Sequence, residues 1–375
     1  MAAPVFLGAG QATYARHPAP GVTTERLLVD AARAALDDAG LHPRDVDGLG
    51  VASFTLAPDH AIDLAWRLGL RLRWIMDDPN GGAAGMNLVA HARRALQAGD
   101  AERILLVAGD HFGPGAFAAL VDGYNRFTRE HLAPLRFGGP NALFAFLTQR
   151  HMRAHGLARA DYGAIAVAQR RWARRNPNAV YRTELTLDDY LAAPLVAPPL
   201  GRYDCVPVVS GADAVVMSAG SGGVPLAATA AAYNPDGQEG DGLRSPLADV
   251  AAPLWSEAGL GPQDVDLACI YDDYPAVVMI SLCDLGLVTP ERLREFAQRR
   301  LLREGWPLNP SGGMLSAGQA GAAGGLHGLV EAVRQLSGRA GARQVPARAA
   351  VVSGYGMVLA RYGAAAGAAV LGPVA

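Results

Sequence analysis

Residues Asp30–Ser53 read DAARAALDDAGLHPRDVDGLGVAS, and residues Asp249–Asp272 read DVAAPLWSEAGLGPQDVDLACIYD. Ala39-Gly40-Leu41 returns as Ala258-Gly259-Leu260, and Asp45-Val46-Asp47 as Asp264-Val265-Asp266, each 219 residues after its counterpart. Each copy has the same physical plan. Apolar residues at helical spacing (Leu28, Ala31, Ala32, Ala35, Leu36 in the first) predict a buried stripe. Gly40 or Gly259 is placed to end that helix in the left-handed conformation. A polar turn follows, then a short apolar strand, Gly48–Phe54 or Leu267–Tyr271.

A second element also repeats. Gly85–Gly99 (GMNLVAHARRALQAG) reads as an amphipathic helix followed by a strand, Arg103–Ala108; Gly324–Gly338 (GGLHGLVEAVRQLSG) reads as another, followed by Arg348–Val352. Both strands run toward glycine, at Gly109 and at Gly354 and Gly356. Strands alternating with helices predict βαβ units with largely parallel pairing. Two such halves must share a core, each burying helices between its own sheet and the other's. The expected halves are residues 1–220 and 224–375, joined by a Gly/Ser link near Gly220–Gly223. The first half carries an insertion at about 110–202, rich in Arg, Pro and aromatic residues. Helices are expected there over Asn141–His155 and Arg159–Arg175, as a loop domain over one end of the sheets.

Composition narrows the chemistry. A net charge of −2 argues against a nucleic-acid binder. Three scattered cysteines, Cys205, Cys269 and Cys283, do not make a disulfide framework, and no CxxC or HExxH suggests a metal site. Met1–Gly10 lacks the pattern of a signal peptide, and no run of about 20 apolar residues suggests a membrane span, so a cytoplasmic protein is the default. All 33 basic residues are arginine. Without a lysine amine there is no Schiff-base catalysis, no covalent pyridoxal phosphate and no Walker A loop.

The chain resembles the thiolase superfamily, and within it the sterol-carrier-protein-x-type thiolase-like branch. The resemblance covers nearly the whole chain. Its most specific parts are AIAVAQRRWARRNPNAVYR, LTLDDYLAAPLVAPPLGRYDC and SGADAVV within Ala164–Val216, with NPSGGMLSAGQ, EAVRQLSG and RQVPARAAVVSGYG near the C-terminus. It implies five α-β-α-β-α layers, an acyl-CoA substrate with no separate cofactor, and a homodimer.

The resemblance also locates four catalytic positions, and this chain departs at all four. The nucleophilic cysteine of a Cys-x-x-Gly turn is replaced by Gly82, followed by Ala83-Ala84-Gly85. The Asn or His that orients an oxyanion-hole water is replaced by Tyr271 in Tyr271-Asp272-Asp273-Tyr274. A Gly-His-Pro motif reads Gly318-Gln319-Ala320, and the second Cys-x-Gly reads Gly354-Tyr355-Gly356.

Glycine is no nucleophile, but the turn at Gly82 and Ala83, with Gly318 and Gly356, can aim backbone N–H groups at a thioester oxygen. Gln319 can donate its amide to the same oxygen. Tyr355, expected in a turn after the last core strand, is a candidate acid or base. In a strand, Tyr271 and Asp273 would share one face and Asp272 and Tyr274 the other. Either aspartate is a candidate base or a structural carboxylate.

An enolate-stabilising site without a nucleophile matches retro-aldol cleavage of a β-hydroxyacyl-CoA. Cysteine-lacking relatives of this branch are implied to shorten steroid side chains with tyrosines. One of those falls at Tyr355; the other lies near Gln319, where this chain has none. They work with a small OB-fold/zinc-ribbon partner, which implies a heterotetramer. The alternatives are a non-catalytic acyl-CoA-binding or scaffolding subunit, and acyl transfer directly between CoA thioesters. Arg170, Arg171, Arg174 and Arg175 are read either as contacts for CoA phosphates or as a solvated helix face. His111, His151 and His155 show no ligand spacing, and Cys205 reads as core.

Overall fold

The computed structural model describes residues 3–123, 125–135, 139–359 and 361–373. The first half runs β1 (Val5–Gln11), α1 (Thr24–Ala39), β2 (Gly48–Ala52), α2 (His60–Leu68), β3 (Trp74–Asp77), α3 (Ala84–Ala98) and β4 (Arg103–Asp110). The insertion adds α4 (Ala116–Asp122), α5 (Pro140–His155), α6 (Arg159–Ala173), α7 (Leu187–Ala192) and a hairpin of β5 (Leu195–Ala197) and β6 (Leu200–Gly201). Strands β7 (Gly211–Ser218) and β8 (Val224–Tyr233) flank the Gly/Ser link. The second half continues with α8 (Leu247–Ala258), β9 (Leu267–Cys269), α9 (Pro275–Asp284), α10 (Leu293–Glu295), α11 (Gly313–Ala317), α12 (Gly324–Leu336), β10 (Ala350–Val358) and β11 (Gly363–Leu371).

The repeat takes the form its residues dictate. Thr23 accepts the Arg26 N–H to start α1, and Gly40, at φ 66°, ends it. Gly259, at φ 64°, ends α8 in the same way. Strand order is β3-β2-β4-β7-β1-β8-β11-β10-β9. The parallel pairs are β3–β2 and β2–β4 in the first half and β10–β9 at the edge of the second; β4 and β10 then continue into antiparallel strands. The halves meet where β1 and β8 pair over two positions only, Val5 with Pro225 and Phe6 with Val224.

Strand alternation sorts the core into layers. Leu105 and Val107 face α1 and α2 with Leu28, Leu36 and Leu64. Ile104 and Leu106 face inward, in one cluster with Met86 and Leu88 of α3, Leu326 and Leu329 of α12, and Val352 and Leu371 of the other half. Val351 and Val370 face outward again, with Leu254 of α8 and Ile280 of α9. Two helices thus lie between two sheets, and each sheet has helices outside it, giving five layers. Helices α3 and α12 cross at glycine: a Cβ on Gly85 would stand 1.9 Å from the Gly325 carbonyl oxygen.

Both repeated strands are shorter than expected, for parallel reasons. After Ala52, the N–H groups of Phe54 and Thr55 turn to the Asp110 carboxylate, at 2.7 and 2.8 Å. After Cys269, the Asn309 side chain takes both backbone groups of Ile270, at 2.7 and 2.9 Å. Side chains have replaced the ladder in each case, and the released chain bends into the site. Conversely, the last long strand reaches further than expected: Tyr355 lies within β10, opposite Ala366, and not in a turn beyond it. Among the described residues, no helix is long and apolar enough to cross a membrane.

Candidate active site

The site is built around Gly82, in a single helical turn (Gly81–Ala83) that leads into α3. The turn rests on β10, where glycines allow the contact. A Cβ on Gly356 would lie 2.8 Å from the Ala83 nitrogen and the Asn80 oxygen, and one on Gly354 would lie 2.8 Å from the Gly82 oxygen. The Ala83 N–H is committed to the Asn80 carbonyl at 3.1 Å, so it is not available to an oxyanion.

Tyr271 explains why residue 82 is glycine. A Cβ there would stand 2.3 Å from the Tyr271 hydroxyl and 2.4 Å from two of its ring carbons. The ring fills the volume that any side chain at this position would need, a cysteine's included. The Tyr271 hydroxyl donates to Asp273 Oδ2 at 3.0 Å. The other Asp273 oxygen is buried without a hydrogen-bond partner among the described residues. Burial pushes the Asp273 carboxyl up to about 7, offset by the Tyr271 hydrogen bond and reinforced by the neighbouring Asp272.

Residues 271–274 are not a strand, so the expected two-face rule does not hold. Tyr271, Asp273 and Tyr274 all line the cavity. Asp272 turns away and accepts the Met314 and Leu315 N–H groups, at 2.9 and 3.2 Å, at the start of α11. Asp272 is thus held by backbone N–H groups, and of the pair Asp273 is the one that lines the cavity around Gly82. Tyr274 stacks on Phe144 at 4.2 Å and donates to Asn141 Oδ1 at 2.8 Å.

Gln319 is fixed through its backbone: its N–H donates to the Pro207 carbonyl, and its own carbonyl accepts from Val209. Its side chain lines the cavity, and Oε1 is buried without a partner among the described residues. Gly318, at φ 117°, makes the turn out of α11 against Val209. Tyr355 lies across from Tyr271, ring centroids 6.3 Å apart. Its hydroxyl accepts the Gly363 N–H, which leaves its own proton directed elsewhere. Burial raises the Tyr355 pKa, so the neutral phenol is the stable form. Of the expected positions, Gly82, Tyr271, Asp273, Gln319, Tyr355 and Gly356 border one cavity of about 240 Å³, while Ala83 and Gly318 shape its backbone without lining it.

The remaining walls are apolar and come mainly from the insertion, including Phe117, Leu120, Val121 and Phe144. Nothing in their spacing announces this, because they are brought in by loop conformation. Cys205 also lines the cavity instead of packing only in the core, but burial pushes its thiol up to about 12, far from a reactive thiolate. The arginine run of α6 does not reach the cavity. Arg170 is stacked on Tyr181 and Tyr203, Arg171 donates to the Leu302 carbonyl, and Arg174 pairs with Glu184. Arg175 lies over Trp172. His151 is held by the Tyr162 hydroxyl, and burial lowers it to about 3, so it is neutral.

One constellation was not anticipated. Ser311 Oγ lies 2.8 Å from His327 Nε2, and His327 Nδ1 lies 3.5 Å from Asp213 Oδ2, which accepts from the Tyr14 hydroxyl at 2.6 Å. The order is that of a hydrolytic triad, but all four side chains are buried. The space beside Ser311 is about 10 Å³, room for no more than a water molecule. The network ties β7, α12 and the Asn309–Gly313 segment together behind the site.

Comparison with known proteins agrees with this frame. Residues 229–371 match the Thiolase C-terminal domain-like family. The chain is 30% identical to the 17-hydroxy-3-oxo-4-pregnene-20-carboxyl-CoA lyase of Mycobacterium tuberculosis, over 89% of this chain and 91% of that protein. It is 28% identical to the steroid side-chain-cleaving aldolase of Thermomonospora curvata, over 90% of each. Among solved structures, the Ltp2-ChsH2(DUF35) aldolase superposes with a TM-score of 0.82 at 25% identity, covering 99% of this chain and 97% of that one. The chain belongs to the thiolase superfamily, in its sterol-carrier-protein-type thiolase-like branch.

Proposed function

We propose that this protein is a carbon–carbon lyase that cleaves a β-hydroxyacyl-CoA by retro-aldol reaction, through a stabilised thioester enolate and without an acyl-enzyme. The observation that carries the proposal is the Tyr271 ring in the volume a nucleophile at residue 82 would occupy, with its hydroxyl on Asp273. The nucleophile's place is taken by a phenol–carboxylate pair facing the same cavity.

The roles follow from the protonation states. Asp273, poised near neutrality, takes the proton of the substrate's β-hydroxyl, with Tyr271 orienting the carboxylate. The Cα–Cβ bond breaks, the β-carbon becomes a ketone or aldehyde, and the bonding pair moves into the thioester as an enolate. The backbone at Gly82 and Gly356 and the Gln319 amide stabilise the enolate oxygen. Tyr355, kept neutral by burial, is suited to deliver the proton that completes the shortened acyl-CoA. The names of the two relatives support this reaction class, and the M. tuberculosis enzyme's substrate name describes a hydroxyl on the carbon β to its thioester. A homodimer with a small OB-fold/zinc-ribbon partner is the assembly we favour; the Ltp2-ChsH2(DUF35) aldolase supports the part of it that pairs the chain with a second protein.

The test is product analysis. The full chain, alone and with such a partner, is incubated with secondary and tertiary β-hydroxyacyl-CoAs. Equimolar ketone or aldehyde and shortened acyl-CoA are expected. Finding neither with any substrate, or finding transfer of the acyl group to free CoA instead, refutes the proposal.

A further inference from the structure

The insertion brings one polar side chain to the cavity among its apolar ones. Gly139, Pro140, Asn141, Leu143 and Phe144, at the start of α5, all line it. Asn141 and Phe144 are three residues apart, so they share a helix face, and together they grip Tyr274. Phe144 stacks on its ring at 4.2 Å, and Asn141 Oδ1 accepts its hydroxyl proton at 2.8 Å. Burial raises the Tyr274 pKa, so the phenol keeps its proton and stays the donor. A carboxamide has an acceptor at one end and two N–H donors at the other. Tyr274 occupies the acceptor end of Asn141. The Nδ2 end has no hydrogen-bond partner among the described residues.

Asp273, the residue before Tyr274, has the complementary need. Its Oδ1 is buried with no donor among the described residues. Asn141 and Asp273 line the same cavity, one with donors to spare and the other with an acceptor to spare, and they do not bond to each other. A group that bridges them must both donate and accept. A hydroxyl does both with a single oxygen: its O–H donates to Asp273 Oδ1, and its lone pairs accept from Asn141 Nδ2. After cleavage the same oxygen is a carbonyl, which still accepts, so Asn141 can hold it from substrate to product while Asp273 takes its proton. The positive end of α5 on the same side favours the negative charge that builds on that oxygen as the proton leaves.

We propose that Asn141, oriented by Tyr274, binds the β-oxygen of the substrate and makes the site select β-hydroxyacyl thioesters over plain acyl ones. The proposal rests on the lyase reading for its ligand, and its test is binding, which can fail separately. Two probes that differ only in the hydroxyl, 3-hydroxy-3-methylbutyryl-CoA and 3-methylbutyryl-CoA, are titrated calorimetrically into the full chain carrying Tyr355→Phe, so that binding is read ahead of slowed turnover. The same titrations are made with Asn141→Ala or Tyr274→Phe added. The parent should prefer the hydroxy ester. Asn141→Ala should cut that preference by about tenfold while changing the affinity for 3-methylbutyryl-CoA by less than about twofold. Tyr274→Phe, which keeps the amide and loses only its orientation, should cut the preference less. Equal affinity of the two esters for the parent, or a preference that survives Asn141→Ala, overturns the proposal. So does an equal loss for both esters in Asn141→Ala, since the amide would then only tether α5 to Tyr274. If the preference depends on Asn141 and the wild type cleaves no β-hydroxyacyl-CoA, the contact stands and the lyase reading falls.

Discussion

Placing a methyl group at residue 82 tests the central contact. In Gly82→Ala the new carbon would stand 2.3 Å from the Tyr271 hydroxyl and 2.4 Å from two ring carbons. Carbon contacts relax at about 3.5–4.0 Å, so the ring must move by more than an ångström. Tyr271 is only 5% exposed, so it has little room to do so. Overpacking of this kind costs about 1–3 kcal/mol, and a displaced aromatic ring belongs at the upper end. For a chain of 375 residues, unfolding entropy of about 2.1 cal/mol/K per residue turns about 3 kcal/mol into a Tm drop of about 4 °C. Tyr271→Ala alone leaves a cavity and costs about 3–5 kcal/mol. In the double variant the methyl group occupies vacated space, so the two costs should fall short of their sum by about 2–3 kcal/mol. Tyr271→Phe should give Gly82→Ala almost no relief, because the ring carbons remain. Calorimetry on these variants, with wild type as reference, measures the coupling. Costs that add to within about 0.5 kcal/mol would show that Tyr271 does not occupy the nucleophile's place, and the proposed remodelling would lose its basis.

Tyr355→Phe should lower kcat by about 10²–10⁴-fold, read by product release, while Tm falls only slightly because the Gly363 N–H loses its acceptor; near-wild-type turnover would move the proton donor elsewhere. Because Asp273 must be ionised to act as base, kcat should rise with pH through about 7, and Asp273→Asn should abolish that limb along with most of the rate. Retention of the limb in Asp273→Asn would assign it to another group. The same raised pKa means that ionising Asp273 destabilises the fold, so from the ordinary carboxylate range up to about 7 its contribution to stability falls as pH rises. Asp273→Asn should flatten that part of the stability–pH curve, as denaturant titration at several pH values would show. Asp110 Oδ1 accepts from Ser53, Phe54 and Thr55, and Oδ2 accepts the Ala322 N–H. Asp110→Ala should therefore cost about 3 kcal/mol or more and loosen Phe54 at the cavity wall, giving a lower Tm and a raised KM.

The repeat disclosed the layers because it rests on period and glycine placement, both local. Helix stripes, the C-caps at Gly40 and Gly259 and the alternating strands follow from neighbours in sequence. What the periodicity could not supply were the points where a distant side chain replaces a strand's hydrogen bonds. Asp110 ends β2, and Asn309 ends the run after β9; in both cases the deciding partner is tens of residues away. The same limit governs the site. Residues 82, 271, 319 and 355 sit at motif positions and so could be named, yet the fit of Tyr271 against Gly82 needs three-dimensional packing to be seen. Asp272 and Asp273 are identical by type and adjacent in sequence; only the N–H groups of Met314 and Leu315 distinguish them. The cavity walls on α4 and α5 left no signal, because an apolar residue facing a substrate and one facing the core look the same.

An abandoned active site and a rebuilt one differ in what they do with buried polarity. Loss of the nucleophile alone would leave a void beside Gly82, and the cheapest filling is an apolar side chain, which needs no partner. Here the filling is a tyrosine that reaches past Gly82 to a carboxylate, and one oxygen of that carboxylate is buried with no protein donor among the described residues. An unsatisfied buried acceptor costs about 1–3 kcal/mol, more if it is charged. Asp272 beside it shows that this backbone can satisfy an aspartate fully when the role is structural. The Ser311–His327–Asp213 network makes the same point, since it is enclosed and each of its side chains has a partner. Asp273 is left short of a partner, as Gln319 Oε1 is, and both face the cavity. A polar group left short of partners at a cavity wall is best explained by a ligand that completes it, and a β-hydroxyl group supplies the missing donor.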